Sequence, residues 1–269
     1  RVMRYLLSLL LVLIFQGCNK PDDSSLASEN TAEDFYIETC STFAEISFSS
    51  YIIQNNNWGE DNFPGEQCIF LSGPDTLFGW SWNYPANDSE YKYPEIIAGR
   101  KPWGTDSNFP LLPIRISNIK NFSTSYDVTT ESAGKNNLAY DIWVNGVDNS
   151  QMISGDNIRA EIMIWVDDNG LCCWGDKQGT VMISNSEFDV YKTELSHIPG
   201  DNYYILFYSE ESIYKKTLDI AGFIDYAVEK GWIHSSNFIS SIEFGNEVVS
   251  GTGTTEIREY SVTVEVNPI

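Results

Sequence analysis

Short runs of Val, Ile, Tyr, Phe and Trp alternate with clusters of Gly, Asn, Asp and Pro along most of the chain, about every ten residues. Apolar runs of this length between turn-forming residues are typical of β-strands. The pattern begins near Asp34, and it contains no internal repeat. Clear examples are residues 51–53, 78–82, 138–144, 160–166, 180–184, 203–208 and 260–266.

One segment departs from this pattern. Residues 217–231 place apolar side chains at helical spacing, with Thr217 as a candidate N-cap and Gly231 at the end. The pattern therefore predicts one substantial helix among many strands. Strands with no linker-like interruption favour a single all-β domain over residues 35–269, a β-sandwich or jelly roll.

The first 34 residues have a different composition. A positive charge at Arg4 precedes an apolar run at residues 5–15, which would rise only about 16 Å as a helix. This run is too short to span a bilayer and is typical of a signal peptide, here residues 1–17. Gly17 before Cys18 resembles a bacterial lipoprotein cleavage box, so we expect lipidation at Cys18. The alternative is ordinary secretion, in which Cys18 is discarded.

Residues 18–34 have few apolar side chains and cannot form a core, so they predict a disordered tether behind the lipid anchor. We therefore expect an exported protein, an outer-membrane or cell-surface lipoprotein or otherwise a periplasmic or secreted one. Its contact with a membrane would be through the N-terminal lipid alone.

Charge narrows the range of partners. The chain has 38 Asp and Glu against 16 Lys and Arg, a formal charge of −22. Nucleic acids bind largely through phosphates neutralised by Lys and Arg, so this excess of acids argues against a nucleic-acid partner. With 42% hydrophobic and only 20% charged residues, the composition is that of a globular protein, which we expect to be a monomer.

Many kinds of site have no candidate in the sequence. The two histidines, His197 and His234, are not in ligand-like spacing, and no phosphate-binding Gly loop, dinucleotide fingerprint or Ser elbow is present. Residues 167–170 could be imagined as a calcium loop, but after a strand they are better interpreted as a turn. We therefore expect no metal and no cofactor, which leaves carboxylates and aromatic rings as candidate chemistry.

Two glutamates stand out by their context. In residues 160–166 the two-residue strand period places Glu161 on the face opposite Ile162 and Ile164. If the aliphatic face is core, Glu161 lies on the other face among large side chains, as in a cleft. Glu247 is a second acid in an apolar setting. Each could instead be an outward-facing surface residue, and the pattern alone does not bring the two together.

Five segments, in order, resemble glycoside hydrolase family 12, whose members are endo-β-1,4-glucanases and xyloglucanases with a β-jelly-roll fold. The similarity extends from Cys40 to about Val266. Its strongest part is residues 161–165, Glu-Ile-Met-Ile-Trp, which are similar to the family's nucleophile strand. The other similar segments are residues 40–43, residues 51–59 with 67–68, residues 139–143 and residues 235–251.

The resemblance implies two curved antiparallel sheets, one short helix and a long substrate cleft on the concave face. It implies a retaining mechanism with Glu161 as nucleophile and Glu247 as general acid/base, whose carboxyl groups would lie about 5–5.5 Å apart. A raised pKa at Glu247 would follow from partial burial and from the charge of Glu161. Asp141 would lie beside Glu161 and support it through a hydrogen bond or shared proton.

Aromatic and polar residues are the expected sugar contacts, because the C–H faces of β-linked glucose are apolar. The resemblance implies Trp58 and Asn56 in a donor subsite. The expected substrate-binding residues are Trp58, Asn56, Met163, Phe43, Trp80 and Trp143, with Trp82, Tyr84 and Trp103 as further candidates. At least half of the set Trp80, Trp82, Tyr84, Trp103 and Trp143 should belong to the core or lie behind the residues that touch substrate.

This chain departs from the family pattern at three places. Phe43 stands where the family has Trp, so we expect a weaker or displaced outer donor subsite. Residues 170–175 replace a Pro-Ile-Gly loop that borders the cleft, and residues 84–114, rich in Pro and aromatics, are expected to add a loop over it. These departures bear on substrate choice.

Cysteine usage agrees with export. The resemblance implies a disulfide between Cys40 and Cys68. Cys172 and Cys173 are adjacent and could form a vicinal disulfide, but two thiols are the slightly favoured expectation.

Two function classes remain at this point. The first is a retaining endo-acting hydrolase of β-1,4-glucosidic bonds in cellulose-type glucan, mixed-linkage glucan or xyloglucan, with a β-glucan polysaccharide as partner. The second is a non-catalytic glycan-binding jelly-roll lipoprotein. The second class would keep the aromatic platforms but would not need Glu161 and Glu247 to face each other.

Overall fold

The computed structural model describes residues 35–57, 65–73, 76–85, 91–148, 152–195 and 202–268. The predicted signal peptide, tether and Cys18 lie outside the described residues, as do Trp58 and His197. Among the described residues, no helix is long and apolar enough to cross a membrane.

Two sheets account for the fold, which confirms the predicted jelly-roll sandwich. The six-stranded sheet has the order β1-β4-β5-β16-β8-β14. Its strands are β1 (Tyr36–Thr39), β4 (Glu66–Ser72), β5 (Leu77–Tyr84), β8 (Ile119–Ala133), β14 (Lys215–Asp219) and β16 (Gly251–Val266).

The ten-stranded sheet has the order β11-β12-β13-β10-β9-β15-β6-β3-β2, with β7 paired to β15. Its strands are β2 (Glu45–Phe48), β3 (Tyr51–Gln54), β6 (Glu95–Gly99), β7 (Ile114–Arg115), β9 (Asn136–Asn145), β10 (Ile158–Asn169), β11 (Asp176–Ile183), β12 (Ser186–Glu194), β13 (Tyr203–Tyr208) and β15 (Phe238–Gly245). The described strand pairs are antiparallel except one, β10 with β13, which is parallel. This parallel pair differs from the purely antiparallel expectation and arises because β13 returns beside β10 after the β11–β12 hairpin.

The ten-stranded sheet has two distinct faces. Its inner face packs against the six-stranded sheet and contributes Ile162, Ile164 and Val166 to the main core. Its outer face carries a second apolar cluster that includes Trp143, Met163, Trp165, Tyr204 and Leu206. The two-residue strand period alternates the side chains of β10 between these faces, as the sequence predicts. We call the second surface the outer face below.

The predicted helix is present, but its predicted start is wrong. Helix α1 spans Ile220–Glu229, and its N-cap is Asp219, whose carboxylate accepts a hydrogen bond from the backbone N–H of Gly222 at 3.2 Å. Thr217 instead belongs to β14, where it pairs with Ser125 of β8. Because the backbone of Thr217 pairs with β8 as part of a strand, the N-cap lies two residues later than the spacing suggests.

The segment 84–114 also differs from the expected loop. Part of it, Glu95–Gly99, is strand β6, which lies between β15 and β3 inside the ten-stranded sheet. The apolar run after Glu95 is buried throughout, so it forms a strand in spite of the neighbouring prolines. After β6, Lys101, Trp103 and Thr105 line a cavity on the outer face, whereas Phe109 and Leu112 pack against the main core.

Two disulfides are present in the described chain. One joins Cys40 and Cys68, as the resemblance implies. The other joins Cys172 and Cys173, so the expectation of two thiols is wrong. The two cysteines are sequence neighbours in the connection between β10 and β11, which brings their sulfur atoms together.

Candidate active site

A cavity of about 770 Å³ opens on the outer face of the ten-stranded sheet. It brings together seven of the residues singled out in the sequence: Glu161, Glu247, Asp141, Asn56, Phe43, Met163 and Trp143. Trp103 and several residues that the sequence analysis missed also line it, namely Glu45, Gln54, Tyr91, Tyr93, Lys101, Thr105 and Glu243.

Glu161 is held by the strands on either side of it. On β10 it pairs with Trp143 of β9 and with Tyr204 of β13. The neighbouring residue Ile162 is fully buried in the inner core, which fixes the side of the sheet to which Glu161 points. The predicted location of Glu161 on the face opposite the aliphatic side chains is therefore confirmed.

Glu247 is held by an asparagine on the neighbouring strand. The side-chain amide of Asn137 donates to the Glu247 carboxylate at 2.5 Å, and the Glu247 backbone N–H donates to the side-chain oxygen of Asn137 at 2.9 Å. The Asn137 backbone N–H also donates to the backbone carbonyl of Glu247 at 3.0 Å. Sequence reasoning missed Asn137, because an Asn at a strand start is usually interpreted as part of a turn.

Both candidate catalytic carboxyls have raised pKa values. Burial, followed by the charges of Glu247 and Glu243, raises the pKa of Glu161 to about 8. Burial also raises the pKa of Glu247 to about 7, against the lowering effect of the hydrogen bond from Asn137, and the charge of Asp168 raises it further. The sequence analysis expected a raised pKa at Glu247. In the structure the pKa of Glu161 is raised as well, partly by the charge of Glu247.

Asp141 lies next to this pair in the sheet. On β9 it is the cross-strand partner of both Met163 on β10 and Glu243 on β15. Burial, and then the charges of Glu161 and Glu243, raise its pKa well above the ordinary value. Its Oδ1 has no hydrogen-bond partner among the described residues. Asp141 and Glu161 interact through charge, and the hydrogen bond or shared proton expected between them stays a prediction.

A buried cation lies between two further acids. The Lys101 ammonium contacts the Glu95 carboxylate at 2.5 Å and the Glu243 carboxylate at 3.3 Å, and all three side chains are almost fully buried. Burial lowers the pKa of Lys101, but the charges of Glu243 and Glu95 outweigh it, so this pKa lies above its ordinary value. The side chain of Asn56 donates to Glu95 at 2.9 Å, which connects this cluster to the cavity wall.

Sequence reasoning missed this cluster, although a signal for part of it was present. Glu95 and Glu243 are each a single acid within an apolar strand, the same context that singled out Glu161. Lys101 carries no comparable signal, because its burial depends on strands that are distant in sequence.

The aromatic candidates divide into cavity residues and core residues. Trp103 is 63% exposed and meets Trp143 edge-on, with ring centroids 4.8 Å apart. Trp80 was predicted to bind substrate, but it is fully buried between the sheets, and its indole N–H donates to the Asn246 side chain at 2.7 Å. Trp80 is therefore a core residue and not a sugar platform, because the strand period of β5 turns it inward. Trp82 and Tyr84 are buried in the same core.

The turn expected at residues 167–170 is wrong for its first three positions, because Asp167, Asp168 and Asn169 belong to β10 and pair with β9, and the chain leaves the strand only at Gly170. The carboxylate of Asp168 accepts hydrogen bonds from the backbone N–H groups of Gly170, Leu171 and Cys172. Among the described residues, no group of three or more His, Cys, Asp and Glu is arranged to hold a metal ion.

Comparison with known proteins decides the family. The family model for Glycosyl hydrolase family 12 matches residues 49–265, which are most of the chain and include both candidate catalytic acids. The chain belongs to glycosyl hydrolase family 12. It is a glycoside hydrolase with the fold of that family.

Three family 12 relatives illustrate its range. Endoglucanase S of Pectobacterium parmentieri is 30% identical over 249 residues, which cover 90% of this chain and 89% of that protein. The solved family 12 xyloglucanase from Bacillus licheniformis in complex with ligand is 30% identical, with a TM-score of 0.75, over 85% of this chain and 100% of that one. The inactive glycoside hydrolase XLP1 of Phytophthora nicotianae is 25% identical over 251 residues, 87% of this chain and 93% of that protein.

We predict that Lys101 stabilises the fold as a counter-ion. Lys101→Met should lower the free energy of unfolding by about 3–5 kcal/mol at pH 7, because it leaves two buried carboxylates without their cation. The measurement is urea denaturation followed by Trp fluorescence. Lys120→Met is the matched control, because it breaks an exposed ion pair with Glu265 and should leave the urea midpoint nearly unchanged. Equal midpoints for Lys101→Met and wild type would contradict the prediction.

We also predict that Glu161 makes stability fall as pH rises. A carboxyl whose pKa is raised from 4.5 to about 8 on folding binds more protons in the native state than in the unfolded state. Its contribution to the free energy of unfolding is therefore lost between these pH values. Glu161→Gln should remove up to a few kcal/mol of this decline, measured by urea denaturation at pH 5 and pH 8. The control is Glu131→Gln, which changes an exposed carboxyl on β8 of the other sheet, and a decline as steep in Glu161→Gln as in wild type would refute the expectation.

Proposed function

We propose that this chain is a retaining endo-β-1,4-glucanase that cleaves β-glucans, with Glu161 as nucleophile and Glu247 as general acid/base. The observation that carries the proposal is that Glu161 of β10 and Glu247 of the β15–β16 connection line one cavity, and that the charge of Glu247 raises the pKa of Glu161. Endo-acting hydrolysis of glycosides needs this pair of carboxyls and no cofactor.

The electrostatics keep one proton on the pair for the first step. Because the pKa values of both carboxyls lie above the ordinary range of Glu, the pair retains a proton near neutral pH, and mutual repulsion favours one ionised and one protonated group. With a pKa of about 8 at Glu161 and about 7 at Glu247, the free enzyme holds this proton preferentially on Glu161, so the reactive form is the one in which the proton lies on Glu247. In that form ionised Glu161 attacks the anomeric carbon while Glu247 gives its proton to the leaving glycosidic oxygen. The products of this step are a glycosyl-enzyme ester and the released sugar chain.

Water completes the reaction in the second step. Glu247, now ionised, takes a proton from the water that attacks the anomeric carbon, and Glu161 leaves as a carboxylate. Formation of the ester removes the charge of Glu161, and the three hydrogen bonds with Asn137 keep Glu247 in position through both steps. Asp141 supports Glu161 as a neighbouring charge on β9.

Substrate contacts on one side of Glu161 come from β2, β3 and β6 and from the segments around them. Asn56 presents its amide, and Phe43, Trp103 and Trp143 present rings, which suit the hydroxyls and the C–H faces of glucosyl units. Trp58 remains a predicted member of this donor side. Two relatives, an endoglucanase and a xyloglucanase, support cellulose-type glucan, mixed-linkage glucan and xyloglucan as the candidate polymers.

We also propose that the protein is exported and held by a lipid on Cys18. Support comes from the apolar run at residues 5–15 and the Gly17-Cys18 pair. In this proposal residues 18–34 tether a monomeric catalytic domain outside the cytoplasm, where a polymeric substrate is accessible.

Replacement of each proposed catalytic acid tests the assignment. Glu161→Gln should reduce kcat by about 10⁴-fold or more, because no nucleophile remains. Glu247→Gln should reduce it by about 10²–10⁴-fold, because the leaving oxygen receives no proton. Reducing ends released from barley β-glucan, xyloglucan, carboxymethyl cellulose and xylan provide the measurement, with Glu131→Gln as control.

The outcomes of this assay separate the two function classes. Full activity in Glu161→Gln or in Glu247→Gln would disprove the role of that residue. If wild type releases nothing from any polymer yet is retarded by one of them in a native gel, the protein is a glycan-binding module. The second class is worth testing because one relative of this chain, XLP1 of Phytophthora nicotianae, is described as an inactive glycoside hydrolase.

The stereochemistry of the product tests retention separately. We expect the new reducing end from cellopentaose to appear first as the β-anomer, because two inversions at the anomeric carbon restore its configuration. Proton NMR during the first minutes of hydrolysis, before mutarotation, resolves the two anomers. Early appearance of the α-anomer would instead indicate direct attack by water.

A further inference from the structure

The connection between β10 and β11 runs back across the outer face of the ten-stranded sheet. It leaves β10 after Asn169 and enters β11 at Asp176. Asp176 pairs with Lys192, which pairs with Ile205, which pairs with Ile162. Across the sheet, Asp176 is therefore aligned with Ile162, which is next to Glu161 in the chain. Residues 170–175 thus return to the part of the sheet that contains Glu161.

Several contacts hold this connection against the sheet. The Asp168 carboxylate accepts from three successive backbone N–H groups at its start. Leu171 and Cys173 pack against the apolar cluster of the outer face. Gly175 has a positive φ of 99°, and a Cβ there would lie 2.8 Å from the Lys192 backbone, so only glycine permits this close approach.

This arrangement leaves one large aromatic side chain exposed beside the candidate catalytic pair. Trp174 is 53% exposed, and its ring lies 5.0 Å from the ring of Tyr204, with an angle of 43° between the planes. Tyr204 is the cross-strand partner of Glu161, and its hydroxyl contacts the Met163 sulfur at 3.4 Å. Trp174 thus contacts Tyr204, and Tyr204 is the residue next to Glu161 on the neighbouring strand.

Trp174 lies on the side of Glu161 away from the donor contacts. Asn56 and Phe43 belong to the region around β2 and β3, at one end of the ten-stranded sheet. Tyr204 lies on β13, on the other side of β10. If the sugar units retained in the glycosyl-enzyme occupy the β2–β3 side, the units of the leaving chain extend over β13 and meet the Trp174 ring.

We propose that Trp174 is the stacking platform for a glucosyl unit on the leaving-group side of the cleaved bond. This assignment rests on the proposed function. The exposed indole offers an apolar surface to the C–H face of a β-linked glucose, and Tyr204 supports the indole from beneath. The ligand at this position is the reducing-end part of a β-1,4-glucan chain. Trp174 belongs to residues 170–175, the loop that departs from the family pattern.

Two substrates separate this role from a structural one. Cellohexaose places sugars on both sides of the cleaved bond, whereas β-cellobiosyl fluoride loses fluoride and places no sugar on the leaving-group side. The ratio of kcat/KM for cellohexaose to kcat/KM for β-cellobiosyl fluoride should fall about tenfold in Trp174→Ala, which corresponds to about 1.4 kcal/mol of transition-state binding. Trp174→Tyr, which keeps an aromatic face, should recover most of the ratio.

The control is Tyr36→Ala, which removes an exposed aromatic side chain on β1 of the other sheet and should keep the wild-type ratio. A wild-type ratio in Trp174→Ala would overturn the proposal. An equal fall for both substrates would also overturn it, because Trp174 would then only support Tyr204. If wild type hydrolyses neither substrate, the proposed function fails and this assignment fails with it, an outcome distinct from an unchanged ratio in an active enzyme.

Discussion

Packing of Ile162 and Ile164 into the core between the two sheets fixes the orientation of Glu161. A strand alternates its side chains strictly, so burial of these aliphatic residues turns Glu161 and Met163 to the outer face. A register shift of one residue would bury the carboxylate between the sheets and expose the isoleucines. The location of the cavity, its charge and its neighbours all follow from this single constraint on β10.

The same constraint concentrates acids on the outer face of adjacent strands. Asp141 of β9 and Glu243 of β15 are cross-strand partners, and both are almost fully buried next to Glu161. Burial, and then the neighbouring like charges, raise the pKa of Asp141 and of Glu161, which keeps protons in the site near neutral pH. Lys101 offsets part of the accumulated negative charge. The site therefore holds several carboxyls close together, which destabilises the fold but is what the proposed chemistry uses. The buried Lys101 ammonium offsets this destabilisation.

The two sides of the cavity are built differently. On the β2–β3 side, side-chain amides and carboxylates form a hydrogen-bonded wall, in which Gln54 donates to Glu45 at 2.8 Å and to Thr105 at 2.7 Å. On the β13 side, the contacts are mainly aromatic and come from a connection that folds back over the sheet. The rings of Phe43 and Trp103 lie beside this hydrogen-bonded wall, so both sides offer aromatic surface, supported by polar side chains on the β2–β3 side and by the apolar cluster of the outer face on the β13 side.

The sequence by itself determined the features that depend on local periodicity. Strand alternation predicted the face of Glu161, helical spacing predicted α1, and ordered motifs indicated the family and the pairing of Cys40 with Cys68. The tertiary structure alone decided which strands are neighbours, and with them the cluster of Lys101 with Glu95 and Glu243. It also decided that Trp80 is core and that β14 takes the first turn of the predicted helix. These features depend on contacts between residues far apart in the chain, and local spacing carries no information about such contacts.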